Sequence, residues 1–502
     1  MNKFKQLANE TAIYGLSSII GKAINFLLVP FYTEKEILQV GEYGIVTELY
    51  SYVAVLNVLY LYGMETAYFR FASRSKESEE QIYSNVFSSV LITTTILTTL
   101  LVTSATPITN WLEFPGREYF VYWFAAIIAI DSIMAVPFVK LRHEQKAGQF
   151  AAYKLVNICL NLGLNIFFLY FCKNIWNGTF LYEWKETISY VYNPSYNVEY
   201  VFISNLIANA CYLFLLSGVL RRVRFVINFQ ILQPMLIYAF PLLLSQLAGN
   251  FNEMFSRMML KKILPDGFYA GFNNQEALGI FGACYKLSMI MTLAIQAFRY
   301  AAEPFFFRES GAQKSKETYA HVFLYFGIFG LFSVLAIGLN LDIIKHIFLR
   351  DEDYWTALHI VPILLMASLF LGLYYNLSIW FKITDKTYFG TIISVSAAII
   401  TIGLNFLLIP YFGYEGSAVT TLIVYFYMCL FAYFTGRKHY PVRYNIKKIG
   451  FYLLLTTILL CAGWNINFPS GMITQVLKEG LVVLFVLIVF MVERKKLKLN
   501  KN

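Results

Sequence analysis

Six cations lie inside stretches of the sequence that are apolar enough to cross a lipid bilayer: Lys22, Lys154, Arg257, Lys286, Arg299 and Lys478. A charged side chain at the bilayer centre costs about 3 kcal/mol or more, so such residues usually face protein or water and mark a pathway. A pyrophosphate needs such partners, because cations must replace its hydration when it leaves water. The pattern predicts an anion-binding lumen formed by Lys22, Lys286, Arg257, Arg299 and Lys154, with Lys478 peripheral.

Three acids share the apolar stretches: Glu48, Asp131 and Glu253. Removal from water favours the protonated form of a carboxyl group, so each acid is a candidate site for proton or sodium coupling.

The buried charges also have a local interpretation, in which neighbouring acids neutralise the cations. Glu253 and Arg257 are four residues apart on one helix face, as are Arg299 and Glu303, and such neighbours can pair. Pairs between helices of matching depth are open as well: Asp131 with Lys154, and Glu48 with Lys22. Both interpretations remain possible from the sequence.

Other site chemistries find no support. The six cysteines are scattered singly in or beside apolar runs, which is typical of small hydrophobic residues rather than of a disulfide or metal framework. The five histidines include no HExxH pair, and the chain has neither a GxxxxGK[ST] loop nor a GxSxG elbow. We therefore expect no cofactor, no metal and no enzymatic activity.

The composition is that of a membrane protein. Of the 502 residues, 58% are hydrophobic and 14% are charged, against roughly 25% charged residues in soluble domains. A spanning helix needs about 20 apolar residues. By that measure, fourteen spans lie near 9–31, 43–66, 83–106, 119–139, 151–172, 200–220, 233–259, 277–301, 319–341, 357–381, 388–410, 415–435, 449–466 and 473–492. The predicted fold class is an all-α integral membrane protein with about fourteen transmembrane helices.

The distribution of basic residues orients these spans. With the N-terminus in the cytoplasm, 26 of the 40 Lys and Arg residues fall in inner segments and 8 in outer ones. This asymmetry follows the positive-inside rule, and a missed helix would scramble it. The net charge of +10 then reflects topology and contact with anionic lipid rather than nucleic-acid binding.

The chain also repeats itself. The tetrapeptide GEYG at 41–44 returns as GIFG at 279–282, an offset of 238, and Glu65 meets Glu303 at the same offset. GLNIFF at 163–168 returns as GLNFLL at 403–408, and RHEQK at 142–146 corresponds to KITDK at 382–386, both at 240. Because six spans is an even number, both copies run the same way through the membrane, as in transporters with parallel repeats. We predict lobes at 1–225 and 226–440, followed by two extra helices and a basic cytoplasmic tail at 441–502.

Three stretches carry a family resemblance: 25–71, 250–290 and 403–425, the last reading GLNFLLIPYFGYEGSAVTTLIVY. Through them, nearly the whole chain resembles the oligosaccharide flippases of the multidrug/oligosaccharidyl-lipid/polysaccharide exporter superfamily. That family commonly has Asp-Arg in its seventh span, where this chain has Ser256 before Arg257, with Glu253 nearby.

The resemblance implies a flippase that moves an undecaprenyl-pyrophosphate-linked oligosaccharide from the inner to the outer leaflet of a bacterial cytoplasmic membrane. It implies alternating access around a cationic lumen, an ion gradient as the driving force, and a role in surface polysaccharide such as the O-antigen of lipopolysaccharide. The implied partners are the lipid-linked substrate, membrane lipids and the polysaccharide polymerase machinery, and both termini are expected in the cytoplasm.

Three other functions remain open. A flippase for the lipid-linked peptidoglycan precursor would share the fourteen spans and the cationic lumen. A multidrug or cation antiporter of the same superfamily usually has twelve spans and relies on lumenal acids, so the extra spans and buried cations argue against it. A membrane polymerase or glycosyltransferase would need larger loops than this sequence contains.

Overall fold

The computed structural model describes residues 20–24, 26–72, 78–221, 223–309, 315–466 and 471–499. Throughout these ranges the regular secondary structure is helical. Eleven of the described helices are long and apolar enough to cross a membrane. The predicted all-α membrane class is therefore confirmed.

The chain divides into two compact units, 1–259 and 260–502. The first unit contains the following helices, the last of which crosses the boundary: Leu28–Tyr32, Val40–Leu61, Met64–Ala72, Glu79–Thr103, Ala105–Trp111, Tyr119–His143, Ala147–Ile166, a π-helical turn Phe167–Cys172, Lys173–Trp176, a 3-10 turn Tyr182–Trp184, Lys185–Ser189, Glu199–Leu215, Ser217–Leu220 and Phe229–Ile263. The sequence places this last helix in the second lobe, whereas most of its residues belong to the first compact unit.

The second unit includes the residues predicted as extra helices thirteen and fourteen. Its helices are Asn274–Glu309, Ser315–Leu339, Leu341–Phe348, a 3-10 segment Glu352–Ile360, Val361–Leu377, Ile379–Ile383, Tyr388–His439, Ile446–Trp464 and Gly471–Leu499.

The count of fourteen spans stays a prediction. Two predicted spans coincide with shorter apolar helices, Ile20–Tyr32 and Glu199–Leu215. Two others share the 52-residue helix Tyr388–His439, which is interrupted by the non-helical backbone of Gly413. The first half of the predicted span 9–31 lies outside the described residues.

Gly413 separates the two halves of that long helix. Its φ of 55° and ψ of −134° form a combination that is open to glycine and costly for other residues. A Cβ atom at this position would also overlap the hydroxyl of Tyr269, whose ring stacks on Tyr414 at a centroid distance of 4.2 Å. The turn thus requires glycine for both its backbone conformation and its packing.

We expect Gly413→Ala to destabilise the second unit by roughly 1–3 kcal/mol, because it adds backbone strain and displaces Tyr269. The melting temperature of the purified protein measures this loss. Gly403→Ala is the matched control, since it lies in the same long helix and its Cβ would meet no atom within 4 Å. Equal melting temperatures for the two variants would contradict the expectation.

In the first unit, an extended connection is held by polar side chains of a spanning helix. The backbone N–H of Val226 donates to the Ser88 hydroxyl at 3.0 Å, and that of Asn228 donates to the side chain of Asn85. Ser88 and Asn85 belong to helix Glu79–Thr103, which begins with a capping box formed by Ser78 and Gln81. These bonds satisfy backbone donors that would otherwise be costly to remove from water.

The sequence repeat has a structural counterpart in each unit. Gln145 and Asp385, 240 residues apart, both adopt left-handed backbone conformations, with φ of 59° and 56°. The residue that follows each of them donates its N–H five residues back, at 2.9 Å for Lys146 and 2.8 Å for Lys386. The same offset relates Asn165 and Asn405, which are both fully buried and both donate to the carbonyl four residues earlier at 2.8 Å. Each unit therefore contains the same turn and the same buried amide.

Candidate functional site

A polar cluster inside the first unit surrounds Lys154. Its Nζ lies 4.1 Å from the ring centroid of Phe138 and 4.9 Å from that of Tyr212. The charge of Lys154 and the side-chain amide of Asn209 both act on the carboxylate of Asp131. Asn209 in turn accepts a hydrogen bond of 3.0 Å from Asn157. Three consecutive predicted spans, 119–139, 151–172 and 200–220, thus meet around one acid and one cation.

Further charges balance Lys154 from the same unit. Glu65 acts on it electrostatically and lies 3.7 Å from Arg142, whose guanidinium also faces the ring of Phe69 at 5.1 Å. Two aromatic rings and the neighbouring acids can stabilise the ammonium group of Lys154, so its position in the protein does not require a bound ligand. For Lys154 and Asp131, this environment favours the local interpretation that the sequence left open.

A second site in the first unit joins helices Val40–Leu61 and Phe229–Ile263. The Tyr52 hydroxyl donates to the backbone oxygen of Met258 at 3.0 Å. Glu48 lies one turn before Tyr52 and is fully buried, whereas Arg257 directly precedes Met258 and is 8% exposed. Glu253 is half-buried one turn before Arg257. The structure therefore places one candidate coupling acid and one candidate substrate cation close to the same tyrosine.

Lys22 occupies the described helical residues 20–24 and is exposed on the surface of the chain. Lys154, by contrast, is partly buried and lies against the rings of Phe138 and Tyr212.

Lys286 and Arg299 lie in the second unit, on helix Asn274–Glu309. Lys286 is half-buried, and the guanidinium of Arg299 lies 4.0 Å from the ring centroid of Tyr375. At 1.5 Å per residue, roughly 20 Å of helix separates the two cations, so they lie at different positions along the helix. The side chain of Glu303, the predicted neighbour of Arg299, lies outside the described residues.

The sequence repeat relates two of the candidate residues, Glu48 and Lys286, and the sequence analysis did not pair them. Glu48 and Lys286 are 238 residues apart, the same offset that relates GEYG to GIFG. Opposite charges therefore occupy equivalent positions in the two copies, on helices Val40–Leu61 and Asn274–Glu309. The constant offset could have revealed this relation if it had been applied to charged residues as well as to pairs of identical residues.

Lys478 is held by an ion pair near one end of the second unit. Its Nζ lies 2.8 Å from the carboxylate of Asp342, which Lys345 also approaches at 3.1 Å. This pair joins helix Gly471–Leu499 to helix Leu341–Phe348, as expected for a structural rather than a transporting cation. The hydrogen bond from Lys478 holds the pKa of Asp342 below its usual range.

When folding lowers the pKa of an acid, the charged acid stabilises the folded state. This stabilisation is complete at pH values above the unfolded-state pKa, and it is lost as the pH falls through the lower, folded-state pKa. Since the unfolded pKa of Asp is about 3.9, the Asp342 contribution should be complete near neutral pH and decline below about pH 4. As the pH is lowered from 6 to 3, the melting temperature should therefore fall more steeply for the native protein than for Asp342→Asn. Parallel curves would show that the pair contributes no stability.

Among the described residues, no group of three or more His, Cys, Asp or Glu side chains is arranged to hold a metal ion.

Residues 7–309 match the model of the family described as polysaccharide biosynthesis protein. No curated protein sequence gives a significant match. The fold is similar to that of a solved structure described as lipid II flippase MurJ in an inward closed conformation, with a TM-score of 0.70 and 14% identity over 96% of this chain and 99% of the other. It is also similar to an inward-facing multidrug resistance MATE family transporter of the MOP superfamily, with a TM-score of 0.58 and 14% identity over 88% and 96% of the two chains.

Proposed function

The chain belongs to the polysaccharide biosynthesis protein family, and from this membership we propose that it flips an undecaprenyl-pyrophosphate-linked oligosaccharide from the inner to the outer leaflet. The observation that carries the proposal is Lys286, a half-buried cation within a helix long and apolar enough to span the membrane. A pyrophosphate crossing this depth needs charge-assisted hydrogen bonds to replace its water.

The remaining cations divide by environment. Within the first unit, Lys22 is exposed and Arg257 directly precedes Met258, the hydrogen-bond partner of Tyr52, and we assign both to the pyrophosphate. Arg299, farther along the helix of Lys286, meets the substrate at a different depth. Lys154, enclosed by Phe138 and Tyr212, stabilises the first unit instead.

Glu48 is the acid we favour for coupling to an ion gradient. Keeping a fully buried carboxylate charged costs free energy, so the protonated form of Glu48 is favoured relative to that of an exposed acid. Asp131 has Lys154 as a fixed electrostatic neighbour, which disfavours a role in carrying a proton or sodium ion. Glu253 is partly exposed and remains the second candidate.

The proposed setting is the bacterial cytoplasmic membrane, with both termini inside and transport by alternating access. The polysaccharide polymerase machinery would receive the flipped substrate. An O-antigen repeat unit of lipopolysaccharide is one cargo that fits this role.

A flippase for the lipid-linked peptidoglycan precursor is the second candidate. The observation in its favour is the fold similarity to the lipid II flippase, which extends over nearly the full length of both chains. Both cargoes carry a pyrophosphate on a polyprenyl chain, so the cations described here would serve either one. A cation antiporter fits less well, because Lys286, Arg257 and Arg299 would repel its cargo.

Reconstituted flipping separates these functions. Proteoliposomes would carry fluorescent undecaprenyl-pyrophosphate oligosaccharide, fluorescent lipid-linked peptidoglycan precursor or an organic cation dye, with and without a pH gradient. We expect gradient-dependent movement of the oligosaccharide lipid, lost in Glu48→Gln but retained in the double variant Asp131→Asn, Lys154→Met. Movement of the peptidoglycan precursor alone would establish the second candidate, and movement of the dye alone would overturn both.

A further inference from the structure

An apolar cavity of about 120 Å³ lies within the first unit, between helices Val40–Leu61 and Tyr119–His143. A second cavity of about 210 Å³ adjoins it, and the two share Leu56, Leu101 and Ile108 as lining residues. Together they form a groove, which we call the chain groove. Its rim includes Leu100 and Trp111, whose side chains are 57% and 52% exposed.

The lining of the chain groove suits a hydrocarbon and little else. Tyr52 lines it with its ring, which meets the ring of Trp111 edge-on at 5.6 Å, while its hydroxyl is engaged by the Met258 oxygen. Phe120 and Phe124 complete the wall from the neighbouring helix. An apolar cavity of this kind stays dry and accepts apolar ligands, because water would find no polar partners in it.

One end of the chain groove meets a short polar loop. The guanidinium of the exposed Arg117 lies 5.9 Å from the ring centroid of Phe120. Glu113 and Glu118 belong to the same loop, so the loop as a whole is not a cationic patch and suits one phosphate better than a polyanion. On the predicted orientation this loop is external, and Trp111 follows the predicted span 83–106 by five residues, where a tryptophan is expected at the membrane interface.

We propose that the chain groove binds the isoprenoid chain of a polyprenyl phosphate, with Arg117 meeting its single phosphate at the outer surface. This inference rests on the proposed function, whose cargo has the same isoprenoid chain but carries a pyrophosphate and an oligosaccharide. The groove holds the carrier chain beside the first unit on the outer side, where a transported head group would emerge. A phospholipid has a phosphate too, but its head group adds a bulky substituent beside Glu113 and Glu118.

Photolabelling tests the proposal. The full chain, in nanodiscs of phosphatidylglycerol, would be labelled with a photoreactive undecaprenyl phosphate, and the labelled peptides would be identified by mass spectrometry. We expect label within 97–128, displaced by unlabelled undecaprenyl phosphate but not by a tenfold addition of phosphatidylglycerol. Leu100→Trp and Ile108→Trp, which fill the chain groove, should each reduce labelling by about tenfold. Arg117→Gln should reduce labelling by the phosphate while leaving labelling by a photoreactive polyprenol unchanged.

Ile96→Trp is the matched control, because Ile96 is one turn from Leu100 on the same helix, is 55% exposed and does not line the groove. Unchanged labelling in both groove variants, or equal displacement by phosphatidylglycerol, would overturn the proposal. Loss of flipping in proteoliposomes with labelling intact would instead count against the proposed function alone. Normal flipping with no label in 97–128 would contradict lipid binding in the chain groove and would still support the proposed flippase function.

Discussion

Lys286→Ala should abolish export of surface glycan while the protein reaches the membrane in its normal amount. Lys286 is half-buried, and in the second unit it is the cation that we place deepest along the proposed path of the pyrophosphate. A hydrogen bond to a charged group contributes about 1.5–3 kcal/mol, so its loss from the transport barrier corresponds to roughly 10- to 100-fold in rate. Surface glycan and membrane abundance, measured in cells that carry the variant as their only copy, provide the two readouts.

Two further variants sharpen this test. Lys286→Arg should retain part of the transport, since the charge survives while the donor geometry changes. Lys22→Ala should lose export as Lys286→Ala does, whereas Lys35→Ala, which removes an exposed cation outside the predicted spans, should be silent. Normal export by Lys286→Ala at normal abundance would remove Lys286 from the pathway. Reduced abundance or a lower melting temperature would instead indicate that Lys286 neutralises a neighbouring acid.

Much of the fold could be predicted from the sequence because a bilayer imposes simple rules. Apolar length located the helices, and Gly413 falls in the short gap predicted between spans 388–410 and 415–435, where a break in the helix was required. The repeat predicted from GLNIFF and GLNFLL has a physical counterpart in the buried amides of Asn165 and Asn405. The predicted lobe boundary at 225/226 stays a prediction.

The candidate site was less predictable, because its geometry depends on contacts between distant spans. A pair of Asp131 with Lys154 was one of the two interpretations left open, and the electrostatic influence of Lys154 on Asp131 favours it. The rings of Phe138 and Tyr212 beside Lys154 were not predicted, because they come from two other helices whose packing no sequence pattern specifies. The hydrogen bond from Tyr52 to Met258 is equally nonlocal, with 206 residues between its partners. Periodicity tells which residues share a helix face, and only packing tells which faces meet.

Lys154→Met should destabilise the first unit by roughly 1–3 kcal/mol, because it removes the cation that acts on the partly buried carboxylate of Asp131. The variant also loses the ring contacts of the ammonium group, which Met replaces with apolar packing of similar length. Asp131→Asn should be destabilising for the mirror-image reason, since Lys154 would then lack its nearest acid within the cluster. Denaturant unfolding of the purified protein in detergent measures both.

The double variant decides between a structural pair and a transport site. If the two charges exist to neutralise each other, Asp131→Asn combined with Lys154→Met should recover most of the lost stability, giving a coupling energy of about 1–3 kcal/mol. Lys146→Met is the control, because Lys146 pairs with Glu144 at 2.6 Å but is 43% exposed, and surface pairs contribute little. Full stability of Lys154→Met accompanied by loss of transport would place Lys154 in the substrate pathway after all. Recovery in the double variant, with transport restored alongside stability, would show that the pathway passes Lys154 by and that its charge serves the first unit alone.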